Sequence, residues 1–140
     1  MSHIRTRIRQ KLAELLSGLG MTVTSNRTTP LQPGELPCIS IFAHGEEVQE
    51  VTNSRTQDRT ADILVDVYIK GAADLDDQLD AKALQVEQAV AAGRKLGNLV
   101  DKVALVSTRL DETTVAEVRV GVARLHYRVS YRTPFAQPDA

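Results

Sequence analysis

The chain has 140 residues, one cysteine, no tryptophan and a formal net charge of -1, from 17 Lys and Arg against 18 Asp and Glu. This balance is unlike the strongly basic character of domains that bind bulk nucleic acid, and a single cysteine excludes an internal disulfide and a zinc site built from several cysteines. A length of this order predicts one domain, here residues 1–134, followed by a frayed C-terminal tail at residues 135–140.

The first element is predicted to be an amphipathic helix. Ser2 is a suitable N-cap residue, and Gly18 and Gly20 are suited to end the helix, because glycine adopts the left-handed C-terminal conformation at little cost. The apolar stretch after the basic start is too short for a secretory signal, so we expect the chain to stay in the cytoplasm. The stripe that the helix buries is Ile4, Ile8, Leu12, Leu15, Leu16 and Leu19.

The next region is predicted to contain three strands. A short strand lies around Val23, residues 28–37 form a loop rich in proline, and residues 38–42 are apolar and favour a strand. Residues 51–58 are polar and predict an exposed, mobile connection. Residues 59–70 alternate between apolar and polar side chains, as in a strand with one buried face. The apolar side of that strand is Ala61, Ile63, Val65, Val67 and Ile69.

The second half of the chain predicts one helix and two strands. The helix begins after Asp74, a good N-cap residue, and ends near Gly93 and Gly97. A strand at residues 103–110 and a turn at residues 111–114 lead into a last strand at residues 118–132. Its apolar positions change from even to odd numbers, which predicts a β-bulge or bend near residues 121–124.

This order of elements predicts an α+β fold. We expect a mostly antiparallel four- to five-stranded sheet with two helices packed on one face. The sequence shows no catalytic or metal-binding motif, since His3, His44 and His126 fall in three different elements. The acidic run that begins at Asp74 lacks the glycine and glutamate of an EF-hand loop, and Cys38 begins an apolar strand, where a thiol is usually inert. We therefore predict no catalytic residue, no metal and no cofactor.

Two sets of charges alternate along the predicted strands. The acidic strip is Asp58, Asp62 and Asp66, and the basic strip is Arg124, His126, Arg128, Ser130 and Arg132. If the two strands are neighbours in one sheet, the strips face each other across the strands. Alternatively, the strips meet between subunits and set the orientation of a head-to-tail contact.

Several stretches together carry a family resemblance. After the N-terminal helix they are Glu35-Leu36-Pro37 followed directly by Cys38-Ile39-Ser40-Ile41-Phe42, then Gly45-Glu46-Glu47, then Ala61-Asp62-Ile63-Leu64-Val65-Asp66-Val67-Tyr68, then Leu79-Asp80, then Arg109-Leu110-Asp111-Glu112, and finally Val129-Ser130-Tyr131. In this order and spacing, over residues 4–133, the chain resembles the tail terminator proteins of long-tailed bacteriophages.

The resemblance implies a non-enzymatic structural role that needs no cofactor. Proteins of this family form a ring, expected here to be hexameric, that caps the tail tube, stops its polymerisation and presents a surface to the head. The implied partners are copies of the chain itself, the major tail tube protein and a head–tail connector or neck protein, with no membrane and no specific nucleic acid. The implied location is the cytoplasm of the bacterial host during assembly, then the head-proximal end of the virion tail.

Exposure and charge predict which residues form the interface with other subunits or with the tube. The region of the polar connection contributes Glu46, Glu47, Glu50, Arg55 and Arg59, and the two strips contribute Asp62, Asp66, Arg124, Arg128 and Arg132. We predict that neutralising the three glutamates together leaves the monomer folded and impairs capping. An ion-pairing role in assembly fits a chain that carries both signs of charge and almost no net charge.

Three alternatives to a tail terminator stay open. A head-completion or neck protein of similar size would give particles that lack tail attachment rather than overlong tails. A small ligand-binding or enzymatic α+β domain would show a deep apolar pocket with converging polar groups. A nucleic-acid-binding protein would use the basic start of the first helix and the arginines of the last strand, and its affinity would fall steeply with salt.

Overall fold

The computed structural model describes residues 3–25, 33–51, 55–71, 73–134 and 138–139. Helix α1 (Ile4–Leu16) continues into a 3-10 turn (Ser17–Leu19), and a second 3-10 turn (Pro33–Glu35) precedes β2. Most of the predicted loop at residues 28–37 lies outside the described residues. The remaining elements are β1 (Thr22–Thr24), β2 (Cys38–Val51), β3 (Thr56–Lys70), α2 (Leu75–Ala92), α3 (Arg94–Asn98), β4 (Lys102–Val115) and β5 (Val118–Pro134).

The five strands form one sheet in the order β1-β2-β3-β5-β4. The short strand β1 runs parallel to β2, and the other three pairs of neighbours are antiparallel. The predicted α+β fold with a mostly antiparallel sheet is confirmed. The strand order could not be read from the sequence, and it puts β3 and β5 side by side at the centre of the sheet.

Both long helices pack on the same face of the sheet, as predicted. Alternate residues of β3 and β5 point toward the helices, and the stripes of α1 and α2 complete the core. Ile8, Leu12 and Leu16 of α1 are fully buried, as are Leu79 and Val86 of α2. We call this face of the sheet the helix side and the opposite one the open face. The core residues of β3 and β5 on the helix side are Ala61, Ile63, Val65, Val67, Ile69, Ala123, Leu125, Tyr127, Val129 and Tyr131.

Helix α1 is capped by a different residue from the one predicted. Ser2 lies outside the described residues, and His3 occupies the N-cap position. The Nδ1 atom of His3 accepts a hydrogen bond of 3.0 Å from the backbone N–H of Arg5. This replaces one of the intrahelical bonds that the first turn lacks. The helix stops as predicted, because Gly20 has a left-handed φ of 78° after the 3-10 turn.

The predicted mobile connection at residues 51–58 is largely a pair of strands. β2 continues to Val51 and β3 begins at Thr56, with Val51 opposite Thr56 in the antiparallel register. Residues 52–54 lie outside the described residues. The prediction was wrong because it relied on the polar side chains, whereas the hydrogen bonds of the ladder join backbone N–H and C=O groups and can form between strands with polar side chains.

β4 also extends beyond its predicted end. Residues 111–114 were expected to form a turn, but they pair with β5, and the chain reverses at Ala116 and Glu117. These two residues have φ of 48° and 67°. Two central residues with positive φ give the twist of a tight hairpin turn, which glycine and asparagine usually supply.

The predicted bulge near residues 121–124 is wrong. The register between β3 and β5 is continuous from Thr56↔Pro134 to Lys70↔Val120. The apolar pattern changes for another reason. A Cβ on Gly121 would lie 2.5 Å from the Cδ1 atom of Leu75, so at this position the helix packs against bare backbone and the core-facing residue carries no apolar side chain. The actual register shifts lie in other strands, at Ala43/Gly45 in β2 and Leu105/Ser107 in β4.

The two ends of α2 differ in part from the prediction. Asp74 occupies the N-cap position, but its side chain makes no capping bond and instead accepts a hydrogen bond of 2.8 Å from the amide of Gln78. At the other end the helix stops at Gly93 as expected. There the chain turns through α3, in which every residue has a positive φ, including the buried Leu96.

Candidate interaction surfaces

The acidic and basic strips lie opposite each other on the open face of the sheet. The β3–β5 register pairs Asp58 with Arg132, Asp62 with Arg128, and Asp66 with Arg124. We call these three pairs the charge ladder. The structure therefore supports the first of the two interpretations of the strips, in which opposite charges face each other across neighbouring strands of one subunit.

The pair at one end of the charge ladder is the most buried. The Nε and NH2 atoms of Arg124 donate to the two carboxylate oxygens of Asp66, each at 2.8 Å, and the Asp66 side chain has no exposed surface. The guanidinium carbon also lies 5.5 Å from the centre of the Phe42 ring. The Tyr68 hydroxyl donates to Asp66 at 3.3 Å, and burial together with this carboxylate raises the pKa of Tyr68 to about 12.

The other two pairs are progressively more exposed. Asp62 Oδ1 lies 2.8 Å from His126 Nε2 and 3.3 Å from Arg128 Nε. Partial burial opposes ionisation of Asp62, but these two partners outweigh it and lower its pKa. Arg132 donates to Asp58 at 2.6 and 3.3 Å, which lowers the pKa of that carboxyl as well. The acids of the ladder are thus already paired inside the subunit. A contact between subunits through the same acids stays a prediction.

Two residues predicted to be exposed at the interface are buried on the helix side. The Glu46 side chain is 4% exposed and forms ion pairs with Arg5 and with Arg59, the latter at 2.9 Å. It also accepts a hydrogen bond from the Tyr131 hydroxyl. Arg59 Nε in turn donates to the hydroxyl of Thr133 at 3.0 Å. We call these residues, Glu46, Arg5, Arg59, Tyr131 and Thr133, the Glu46 cluster.

The Glu46 cluster bears on the predicted effect of neutralising three glutamates, because one of them is buried. A buried carboxylate that pairs with two arginines and a tyrosine contributes to folding, and removing it would leave the buried guanidinium of Arg59 without this partner. Glu46 and Arg59 therefore cannot be the freely exposed interface residues that were expected. Glu47, Glu50 and Arg55 are exposed as predicted.

The C-terminal segment also contacts the region of the Glu46 cluster. The backbone N–H of Ile4 donates to Pro138 O at 3.0 Å, and Arg7 donates to Asp139 O at 3.1 Å. These two residues of the predicted frayed tail are therefore held against the start of α1. Residues 135–137 and 140 lie outside the described residues.

The free edge of β4 is a surface that the sequence pattern missed. β4 pairs with β5 alone and is the last strand of the sheet. Among the described residues, five large hydrophobic side chains are exposed, and four of them lie on β2 or β4: Val48, Leu105, Val106 and Leu110. Apolar residues on an open edge strand are a feature of strands that pair with another chain. One feature of the sequence could have indicated this surface: residues 103–106 are all apolar, whereas a strand with one buried face needs apolar residues only at alternate positions.

A groove of about 540 Å³ lies between α2 and the start of β4. Val90, Ala91, Val103 and Leu105 line it together with Tyr127. The Tyr127 hydroxyl is buried and has no hydrogen-bond partner among the described residues, and burial, with a smaller contribution from Glu87, raises its pKa well above the ordinary value. In the described part of the chain, no group of three or more His, Cys, Asp and Glu residues is placed to hold a metal.

Comparison with known families shows which kind of protein this scaffold is. Residues 1–131 match the family described as phage minor tail protein U. The chain belongs to this family. Membership makes it a structural protein of a phage tail, and over the described residues no helix is long and apolar enough to cross a membrane.

Two further comparisons complete the description of this tail protein. A chain of the solved structure described as "Virion of native gene transfer agent (GTA) particle" is 15% identical, with a TM-score of 0.39 and coverage of 94% of this chain and 92% of that chain. A score at this level carries no argument about the role of the protein. No protein of curated function matches the sequence.

Proposed function

We propose that this minor tail protein is a tail terminator: copies assemble into a ring, expected to be hexameric, that caps the finished tail tube. The single observation that carries the proposal is the match to the minor tail protein U family over residues 1–131. The ring stops further addition of tube subunits and offers a surface to the head-side connector or neck protein. This role requires binding and no catalysis.

The physical features of the chain support such a role. A ring of identical subunits needs two different surface patches that fit each other and a rotation that closes. The sheet of this protein has two different edges, β4 on one side and β2 with the short β1 on the other. Glu47 and Glu50 on β2, and Arg55 in the connection between β2 and β3, are exposed and remain candidate residues for contacts with copies of the chain and with the tube.

The position of the protein follows from the same proposal. Assembly takes place in the cytoplasm of the bacterial host, and the ring then stays at the head-proximal end of the virion tail. Its partners are further copies of itself, the major tail tube protein and the head–tail connector or neck protein. Neither a cofactor nor a specific nucleic acid is part of this role.

Electron microscopy of tail tubes tests the proposal directly. Purified tube protein is polymerised with and without the chain, and tube lengths and tube ends are recorded. A terminator gives tubes of limited length with a ring at one end. Tubes of unchanged length with bare ends would contradict the proposal. A head-completion or neck protein is recognised by a different defect, in which phage particles that lack the protein have tails of normal length that fail to attach to heads.

A further inference from the structure

We propose that the subunits of this ring join by pairing the free edge of β4 with the part of β2 that β1 leaves uncovered in the next subunit, residues 41–50, so that one sheet continues around the assembly. The inference rests on the proposed ring and goes beyond it by naming the two surfaces that meet. Four independent features of the described residues point to the same pair of strands: open backbone edges, strand direction, apolar side chains and charge.

Both strands have an edge that is open in the described part of the chain. β4 is the last strand of the sheet and pairs with β5 only. On the opposite side, β1 covers β2 at three positions, from Thr22↔Cys38 to Thr24↔Ser40, and among the described residues β3 is the one strand that pairs with residues 41–50. Unpaired N–H and C=O groups along such an edge accept a strand from another chain.

The directions of the strands fit a head-to-tail repeat. β2 is antiparallel to β3, β3 to β5, and β5 to β4, so β2 and β4 of one subunit run in opposite directions. A cyclic repeat that keeps the strand axis and the helix side of each subunit places β2 of the next copy antiparallel to β4. Two different edges meet in every contact, as a heterologous ring requires.

Three of the four exposed apolar side chains on the two strands lie on the same side of the sheet; the fourth, Val106, is at the register shift of β4. Val48 is opposite Arg59, Leu105 opposite Tyr127, and Leu110 opposite Ala123, and each of these partners points to the helix side. Cross-strand neighbours share a face. The exposed fractions are 47% for Val48, 38% for Leu105 and 45% for Leu110, so pairing of the edges would remove apolar surface of these side chains from water.

The exposed charges that have no ion pair among the described residues are acidic on β2 and mainly basic on β4. Glu47 and Glu50 of β2 are exposed, as are Lys102 and Arg109 of β4, and none of the four has an ion pair among the described residues. Of the two acids near the hairpin end of β4, Glu112 is already paired with Arg119, and Asp111 is exposed, so bases outnumber unpaired acids on β4 by two to one among the described residues. Opposite charges on the two edges favour β4–β2 contacts over contacts between two β2 edges, since like charges would then face each other.

Charge reversal on each edge tests the proposal on the full chain. One variant carries Glu47→Lys and Glu50→Lys, and the other carries Lys102→Glu and Arg109→Glu. Each variant alone has the same sign on both edges, so we expect half-maximal capping of tail tubes to require at least about tenfold more protein. An equal mixture should restore capping, because each edge of one variant is then complementary to the opposite edge of the other.

A matched control separates this effect from a general response to charge. Glu14→Lys with Asp80→Lys reverses two exposed acids on the helices and should leave capping unchanged. Hydrogen exchange supplies the backbone measurement: within residues 105–113, the amides that face away from β5 should exchange at least about tenfold more slowly in the ring than in the free chain, because they become bonded to the neighbouring strand. Circular dichroism confirms that each variant is folded.

The outcomes distinguish this inference from the proposed function. If the unaltered protein places rings on tubes, but both variants cap normally and the β4 amides exchange as in the free chain, the edge pairing is wrong and the terminator role stands. A closed dimer that protects β4 alone also overturns it, since β4 then pairs with β4. If the unaltered protein forms no ring on tubes, the proposed function fails and the edge pairing fails with it.

Discussion

Arg124 and Asp66 face each other across the two central strands, and two hydrogen bonds of 2.8 Å join the guanidinium to a carboxylate with no exposed surface. Two parallel bonds of this kind combine strength with a fixed geometry. Asp66 is thus an acid on the open face of the sheet that belongs to the folded core of the molecule rather than to its free surface.

We predict that Arg124→Gln lowers the free energy of unfolding by about 3 kcal/mol, because it leaves the buried carboxylate of Asp66 without its cation. Urea denaturation followed by circular dichroism measures the change. Arg132→Gln is the matched control, since Asp58 and Arg132 are both about half exposed. Equal losses in the two variants would show that burial does not distinguish the pairs.

Asp62 and Arg128 provide a test of the charge ladder as an intrasubunit feature. Asp62→Arg and Arg128→Asp should each lower the free energy of unfolding, by at most about 1 kcal/mol for a partly solvated pair. The double exchange should recover most of the loss because the two residues are opposite each other in the register. If the double variant is folded and stable but no longer assembles, the strips act between subunits as well.

Two tyrosines of β5 should respond in opposite ways to the same substitution. Tyr131→Phe removes the hydroxyl that donates to Glu46 and should destabilise the fold by about 1 kcal/mol or more. Tyr127→Phe removes a buried hydroxyl with no partner among the described residues, so it should leave stability unchanged or increase it. Thermal unfolding of the two variants side by side makes the comparison, and a larger loss for Tyr127→Phe would contradict it.

The cap of α1 should make stability depend on pH. Burial and the nearby Arg5 lower the pKa of His3 from its ordinary value of 6.5. The unfolded chain therefore binds more protons than the folded one in the range just below 6.5, so the contribution of His3 is complete above that pH and is lost as the pH falls through the lowered value. Protonation also removes the Nδ1 lone pair that accepts from Arg5.

His3→Ser tests this dependence, because a serine hydroxyl caps a helix at any of these pH values. Unfolding of the unaltered chain should become easier between about pH 6.5 and 5, by about 1 kcal/mol at most, which is the usual contribution of an N-cap. The serine variant should show less of this change. Parallel pH profiles for the two proteins would mean that other groups are responsible.

The β4–β5 hairpin turn is open to stabilisation. Ala116 and Glu117 adopt left-handed φ values of 48° and 67°, which are costly for residues with a Cβ. Ala116→Asn with Glu117→Gly should raise the free energy of unfolding by about 1 kcal/mol without altering the fold. Thr114→Gly, inside β4, is the control and should lower stability. A neutral or negative effect of the turn substitutions would contradict the assigned turn geometry.

Several features could be predicted from the sequence because local periodicity determines them. The apolar stripe of α1 and the alternation of apolar and polar residues in β3 each define one apolar face, so both elements and their buried sides were correctly predicted. The two charge strips were also visible in the same alternation. Their mutual register was not, since it depends on β3 and β5 being neighbours, and residues 71–117 separate those strands along the chain.

The errors have two physical causes. The polar stretches 51–58 and 111–114 were interpreted as a connection and a turn, but their described residues belong largely to paired strands. The side chains of those strand residues are half-buried or exposed, so the sequence has no apolar side to detect. Glu46 and Arg59 were expected to be exposed because single charges seldom enter a core. They are buried because each neutralises the charge of the other. An ion pair between residues on two different strands leaves no periodic pattern in the sequence.

The extra residue His44, at the register shift of β2, divides that strand into two parts with different selective constraints. Before it, Cys38, Ile39 and Ile41 are buried, so substitutions there act on the stability of the fold. After it, apart from Glu46, the side chains are mostly in solvent. Substitutions in that second part carry little risk to the scaffold, so if this part of β2 contacts partners as proposed, related tail proteins can diverge in what they recognise while they keep one architecture.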